Sequence, residues 1–390
     1  MVVGRIRSAV VQRHVNYISV VSAENADGLV ADVYRQVAEE MRIVVPPALL
    51  HSPSPELLAA YWALTREPLL PAGLAGRAAK EAVAAAVSVA NICPYCAEWH
   101  TAGLYELSGE HDAEAIGMDR LAEIGDPRLR RIADWARAAH LAGGPPLPPE
   151  VSPAERAELV GVAVGFHYLS RMVNVFLANF LIPPALGPRS RRRLKQGLGH
   201  MLKPTVRGDH RAGRANGLLS AVPPRPDTVW ATANPVLADA TARAFRAFEA
   251  AGLRSLEPGV RRLVLGRLDA WDGEETGLST RWCEDLIGHL APAPRAAARL
   301  ALLTALSSYQ VSAEVVDEFR RHHPGDPALV EVTAWASFAA ARRIGVRHGA
   351  DHNAASGRHI AQREATGAIG TDQDEVTHGA ATSFPLVKGE

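Results

Sequence analysis

The sequence predicts an all-α protein, and three observations carry the prediction. Alanine is abundant, with runs such as residues 78–90 that no Gly or Pro interrupts. Aromatic residues are only 6% of the chain, which disfavours the aromatic-rich strands of a sheet protein. Apolar residues recur at helical spacing over long stretches, and no stretch alternates as a half-buried strand would.

At 390 residues the chain is long enough for two domains with sizeable cores. Its 42 basic and 42 acidic residues cancel, so nothing global points to nucleic acid or to an anionic membrane as a partner. No apolar run is expected to reach membrane-spanning length. The first 22 residues scatter Arg5, Arg7, Arg13 and His14 among apolar neighbours, which is not the pattern of a signal peptide. Only three cysteines are present, two of them close together, which suits a reducing compartment and a cytoplasmic location.

The alanine-rich helix runs into Asn91-Ile92-Cys93-Pro94-Tyr95-Cys96. Proline disfavours helix in the residue before it and fits the first position of a new one. The segment therefore predicts a helix, a hinge, and a second helix capped by Cys93 with Pro94 at its start. On that helix Cys93, Cys96 and His100 are spaced i, i+3 and i+7 and share one stripe. If the two helices fold back on each other, Glu81 and His100 lie at matching distances from the hinge, about 12–15 Å along each axis. In one straight helix Glu81 would sit about 18 Å from Cys93 and could not join it. A thiol in the first helical turn is expected to be drawn toward thiolate by the helix dipole. A carboxylate-held imidazole can accept the thiol proton and later return it. With a second thiol in disulfide reach, these are the parts needed for thiol-dependent peroxide reduction.

Glu81, eleven residues, Cys93-x-x-Cys96, and His100 four residues beyond is the spacing that marks the AhpD-like alkylhydroperoxidase branch of the carboxymuconolactone decarboxylase superfamily, and the chain resembles that branch here. The resemblance implies a helical bundle in which Cys96 attacks the peroxide, Cys93 resolves the product as a disulfide, and Glu81 and His100 relay protons. It further implies a small peroxide substrate, no bound cofactor or metal, an external dithiol reductant of lipoyl or thioredoxin-like type, and a homo-oligomer, dimer or trimer. Many members carry His directly before the second cysteine, where this chain has Tyr95. Residues 15–70 have the general look of larger bacterial members.

Other readings of the same residues stay open at this level. Cys-Pro-Tyr-Cys also occurs in glutaredoxins, but that fold needs a strand leading into the motif, and here a helix does. Cys93, Cys96 and His100 are competent zinc ligands that lack a second ligand pair at matching spacing. A lactone decarboxylase, or a non-enzymatic redox-sensing assembly protein, are the alternative functions.

Further along, Gly125-Asp126-Pro127-x-Leu129 with Trp135-Ala136 recurs as Gly325-Asp326-Pro327-x-Leu329 with Trp335-Ala336, an offset of 200. Arg77-Ala78-Ala79 matches Arg295-Ala296-Ala297 at an offset of 218. That alignment sets Glu81 on Arg299, Cys93 on Val311, Cys96 on Glu314 and His100 on Glu318, which predicts a duplicated bundle whose second copy has lost the chemistry. Between the copies, His167 and Arg171 are i, i+4 neighbours on a helix expected beside the site, where they would line the pocket or act in a relay, or where His167 would be a satisfied core residue. The expected organisation is an active domain over 1–185, a basic solvated linker over 186–225, a degenerate repeat over 226–345, and a disordered tail over 346–390 that ends near Phe384-Pro385-Leu386-Val387. Cys283 has no CxxC partner and is expected to be a packed thiol.

Overall fold

A computed structural model describes residues 15–178 and 180–367, with side chains through residue 349. Among these the chain is all helical, in agreement with the expected class; the only extended pairing is one antiparallel bridge between Val15 and Leu177. The helices are α1 Gly28–Met41, α2 Pro46–Leu49, α3 Pro55–Leu69, α4 Arg77–Ala90, α5 Pro94–Tyr105, α6 Glu110–Gly117, α7 Pro127–Ala138, α8 Pro153–Phe176, α9 Pro188–Val206, α10 Pro235–Ser255, α11 Pro258–Asp269, α12 Arg281–Ile287, α13 Pro292–Ser307, α14 Ala313–His322 and α15 Asp326–Gly367. Nine of them open on proline, whose missing N–H costs nothing at a first turn. The proline content thus punctuates the bundle and rarely interrupts it.

The centre of the core is α8, buried along almost its whole length against α3, α4 and α5 on one side and α10 and α13 on the other. Its glycines permit that closeness: a Cβ on Gly165 would stand 3.0 Å from the Leu64 carbonyl. By length and composition α8 alone among the described helices is apolar enough to cross a membrane, contrary to the expectation from sequence, yet 94% of its apolar window is buried inside the protein. It is the core helix of the bundle.

The described residues up to Gly349 form one compact unit, so the segments expected to be two copies are not separate bodies, and α3 packs against α10 between them. The ring of Tyr168 meets that of Phe248 across this junction, with centroids 4.6 Å apart. The segment anticipated as a solvated linker carries α9, which packs on α5. The physical reason is an apolar stripe, Leu198, Leu202 and Val206, every fourth residue beneath the basic surface. Its cations are also paired, Lys195 with Glu114 at 2.6 Å and Arg191 with Glu98 at 2.5 Å. At Gly199 an added Cβ would lie 2.6 Å from the Ala102 carbonyl, so the two helices nearly touch.

The expected tail begins inside α15, which continues to Gly367; residues 368–390, with Phe384 to Val387, lie outside the described residues. So do residues 1–14, the larger part of the segment inspected for a signal peptide.

Candidate active site

The hinge forms as the sequence expects. Helix α4 ends at Asn91, whose amide donates to the Val87 carbonyl at 2.7 Å. Ile92 then takes a left-handed φ of 51°, a conformation that a β-branched residue rarely adopts. The Cys93 N–H returns to the Ser88 carbonyl at 2.9 Å, and Cys93 becomes the N-cap of α5 with Pro94 at its first position. The turn sends α5 back along α4.

Across this hairpin His100 Nδ1 lies 2.6 Å from Glu81 Oε2. The other carboxylate oxygen of Glu81 accepts from Arg77 Nε at 2.8 Å, one helical turn earlier. Glu81 is 2% exposed and His100 5%. Burial alone would raise the Glu81 pKa, but the charges of Arg77 and His100 outweigh it and hold the group at about 2. Whenever the imidazole is neutral, the ionised Glu81 keeps its remaining proton on Nδ1, which leaves Nε2 as the basic nitrogen. The edge of Phe166 closes on the imidazole, with ring centroids 4.4 Å apart at 85°.

Cys93 and Cys96 are both buried as free thiols within hydrogen-bonding contact of each other. Cys96, His100, Glu81 and Tyr95 line a cavity of about 70 Å³ whose other walls include Tyr61, Trp62, Trp99, Phe166 and, from α9, Leu202 and Val206. One water-sized occupant needs roughly 10–15 Å³ of such space, so the cavity suits a ligand of a few heavy atoms. Cys93 is not part of its wall.

The thiolate expected at a helix start is not the resting state that burial favours. Burial pushes the Cys96 thiol well above its ordinary range, and the Cys93 thiol beside it adds to the effect. The Ser170 hydroxyl opposes both. Ser170 lies on α8, 3.4 Å from the Ser88 hydroxyl, which itself donates to the Ala84 carbonyl at 2.6 Å. Tyr95 is likewise kept protonated by burial and by the two neighbouring sulfurs, so its hydroxyl can exchange hydrogen bonds but holds its proton at neutral pH.

His167 and Arg171 lie elsewhere. They line a separate cavity of about 40 Å³ on the far side of the hinge, with Asn91, His140 and Ser308. From the same helix it is Phe166 and Leu169 that reach the cavity of Cys96. Sequence reasoning missed Arg77, although an arginine four residues before a buried glutamate is a legible signal. It also missed Ser170 and the α9 side chains, which no local spacing reveals. Cys283 is fully buried and its thiol is pushed up to about 12, first by burial and then by Glu284, as befits a packed residue. Among the described residues no three His, Cys, Asp or Glu side chains converge as metal ligands.

A helical bundle that brings a paired thiol, a carboxylate-held imidazole and a small cavity to one hinge is the architecture of the AhpD-like class. The chain belongs to the AhpD-like alkylhydroperoxidase family: it is 37% identical over 338 residues to an alkyl hydroperoxide reductase of Mycobacterium tuberculosis, covering 87% of this chain and 96% of that protein. No family model matches the sequence.

Proposed function

We propose that the protein is a thiol-dependent peroxidase that reduces hydrogen peroxide or a small organic hydroperoxide through Cys96 and Cys93. One observation carries the reading: Cys96 and the Glu81-held His100 line a single cavity, while Cys93 touches Cys96 from outside it. The identity to a protein named for alkyl hydroperoxide reduction supports the same activity.

In this mechanism His100 Nε2 takes the Cys96 proton as substrate enters, because burial keeps the resting thiol protonated. The thiolate attacks the outer peroxide oxygen and the O–O bond breaks. The departing alkoxide or hydroxide takes the proton from His100, and Cys96 is left as a sulfenic acid. The Cys93 sulfur then attacks the Cys96 sulfur; a disulfide forms, and hydroxide leaves with the Cys93 proton as water. An external dithiol, lipoyl or thioredoxin-like, reduces that disulfide by exchange and is itself oxidised. We assign the protein to the cytoplasm, where such donors keep thiols reduced, and expect a dimer or trimer.

The test is stoichiometric. Reduced protein should consume one equivalent of peroxide and lose two of its three thiols. Cys96→Ser should consume none, and Cys93→Ser should stop after one slow turnover with Cys96 oxidised. Undiminished consumption by Cys96→Ser would remove the nucleophile from the scheme.

A further inference from the structure

The second cavity, between the hinge and the later copy, plays no part in that reaction. Its walls come from both copies, with Asn91, His167 and Arg171 on one side and Leu306, Ser308 and Tyr309 on the other. Arg171 is 5% exposed, and no carboxylate pairs with it among the described residues. Its Nε donates to the Ala305 carbonyl at 2.9 Å and its Nη1 to the His167 carbonyl at 2.5 Å. Nη2 has no acceptor there, so two N–H groups of a buried cation are left over. A guanidinium taken out of water without a counter-charge is a costly arrangement that a bound anion relieves.

The neighbours add donors. The amide nitrogen of Asn91 lies 2.9 Å from His167 Nδ1, and Arg171 Nη1 approaches the same atom at 3.4 Å. Both can only donate, so Nδ1 accepts and the proton of neutral His167 sits on Nε2, a buried atom without a partner. Ser308 Oγ accepts from Asn174 at 3.0 Å, which leaves its own O–H to give. His140 Nδ1, on a ring 5.7 Å from that of His167, is unpartnered as well.

We propose that this cavity is a binding site for a small oxyanion, held by Arg171 Nη2, His167 Nε2 and the Ser308 hydroxyl. Water would satisfy single hydrogen bonds but would leave the charge uncompensated. A metal cation is disfavoured by the guanidinium. The volume admits an ion of sulfate, phosphate or formate size. Glu274 and Glu275, both exposed, also line the cavity, and their charge opposes the anion and lowers its affinity. The site gives the second copy a use that does not require the lost thiols: it closes the anion cavity against the hinge of the first.

The full-length reduced protein would be titrated with sodium sulfate, phosphate, formate and chloride at fixed ionic strength, with melting temperature as readout. A crystal soaked in selenate would locate the ion by its anomalous signal. Saturable stabilisation by at least one oxyanion, and selenate in this cavity, are expected. Arg171→Met should abolish the response. Should that variant fold poorly, Ser308→Ala should weaken binding about fivefold, and the exposed pair Glu274→Gln with Glu275→Gln should tighten it about threefold. Sulfate against formate distinguishes an inorganic ion from a carboxylate. A response no greater than chloride's, or one unchanged by these variants, would overturn the proposal. So would loss of stability in the glutamate variants, because it would reveal a carboxylate as the partner of Arg171.

Discussion

Two helical hairpins in this molecule share a frame and differ in what they enclose. In the first, α4 and α5, Glu81 bonds His100 with Arg77 behind it. In the second, α13 and α14, Arg299 bonds Glu318 with Glu284 behind it. Both bridging pairs are 19 residues apart in sequence. They fall on the positions that the 218-residue offset aligns, with the charges reversed. The ion pair across the hairpin is thus a framing device that either sign of charge can fill. What distinguishes the first hairpin is burial and sulfur. Glu81 and His100 side chains are 3% and 7% exposed, against 18% and 25% for Arg299 and Glu318. Where the first has two buried thiols, the second has Val311 and an exposed Glu314.

The harshest way to break this comparison is to write the second hairpin's charges into the first. Arg77→Glu, Glu81→Arg and His100→Glu together should keep the helical circular dichroism and a two-state melt. Peroxide consumption should fall about 10²–10⁴-fold, the contribution of a positioned proton-transfer group. Retained turnover in a folded triple variant would mean that the imidazole is not the relay.

Acid offers a second separation. The Glu81 carboxyl titrates near 2 in the folded protein against an ordinary 4.5, so the native state holds the charge more tightly than the unfolded chain. The stabilisation is complete above about pH 4.5 and is lost as pH falls through about 2. It is on the order of 3 kcal/mol, at about 1.4 kcal/mol per pKa unit. Urea unfolding across that window should show the loss in the native protein and a flatter profile in Glu81→Gln. Parallel profiles would place the acid sensitivity elsewhere.

Much of this frame was legible in the sequence, and the failures have identifiable causes. The helix class, the hinge at Asn91 and the Cys93–Pro94 start follow from local rules, because proline and alanine act within a turn of themselves. The bond between Glu81 and His100 followed from equal distances to a hinge, which is simple geometry. The 18-residue change of offset between the two repeat landmarks also has a place: 21 residues (106–126) separate α5 from α7, but only three (323–325) separate α14 from α15, and α6 occupies the difference. What failed was tertiary. His167 and Arg171 share a helix with Phe166 and Leu169, and one residue of rotation decides which cavity a side chain enters. The α9 segment read as a linker because its Arg and Lys content masked the stripe of Leu198, Leu202 and Val206. The resting protonation of Cys96 was misjudged because burial depends on neighbours from α8 that local spacing does not reveal.

A milder perturbation addresses the second hairpin alone. Arg299→Met removes the shared partner of Glu284 and Glu318, both partly exposed. The expected cost is about 1 kcal/mol in urea unfolding, with peroxide stoichiometry unchanged. An equal loss of turnover would show that the two hairpins are mechanically coupled.

The smallest expected effect sharpens what sets the first hairpin apart. Ser170 is fully buried on α8, and its hydroxyl is the one group that draws the Cys96 thiol down against burial and Cys93. Ser88 already spends its proton on the Ala84 carbonyl, so the Ser170 proton is free to turn from Ser88 to the sulfur when Cys96 ionises. Ser170→Ala should therefore move the pH profile of Cys96 alkylation by iodoacetamide to higher pH, with little change in melting temperature because a methyl replaces a small hydroxyl. In Ser170→Thr the hydroxyl is kept, and the profile should return toward that of the native protein if the side chain fits. A purely structural role would lower stability in both variants and leave the profile where it was. The second hairpin provides the control: no thiol stands at Glu314, so the shift must belong to α4, α5 and the helix that covers them.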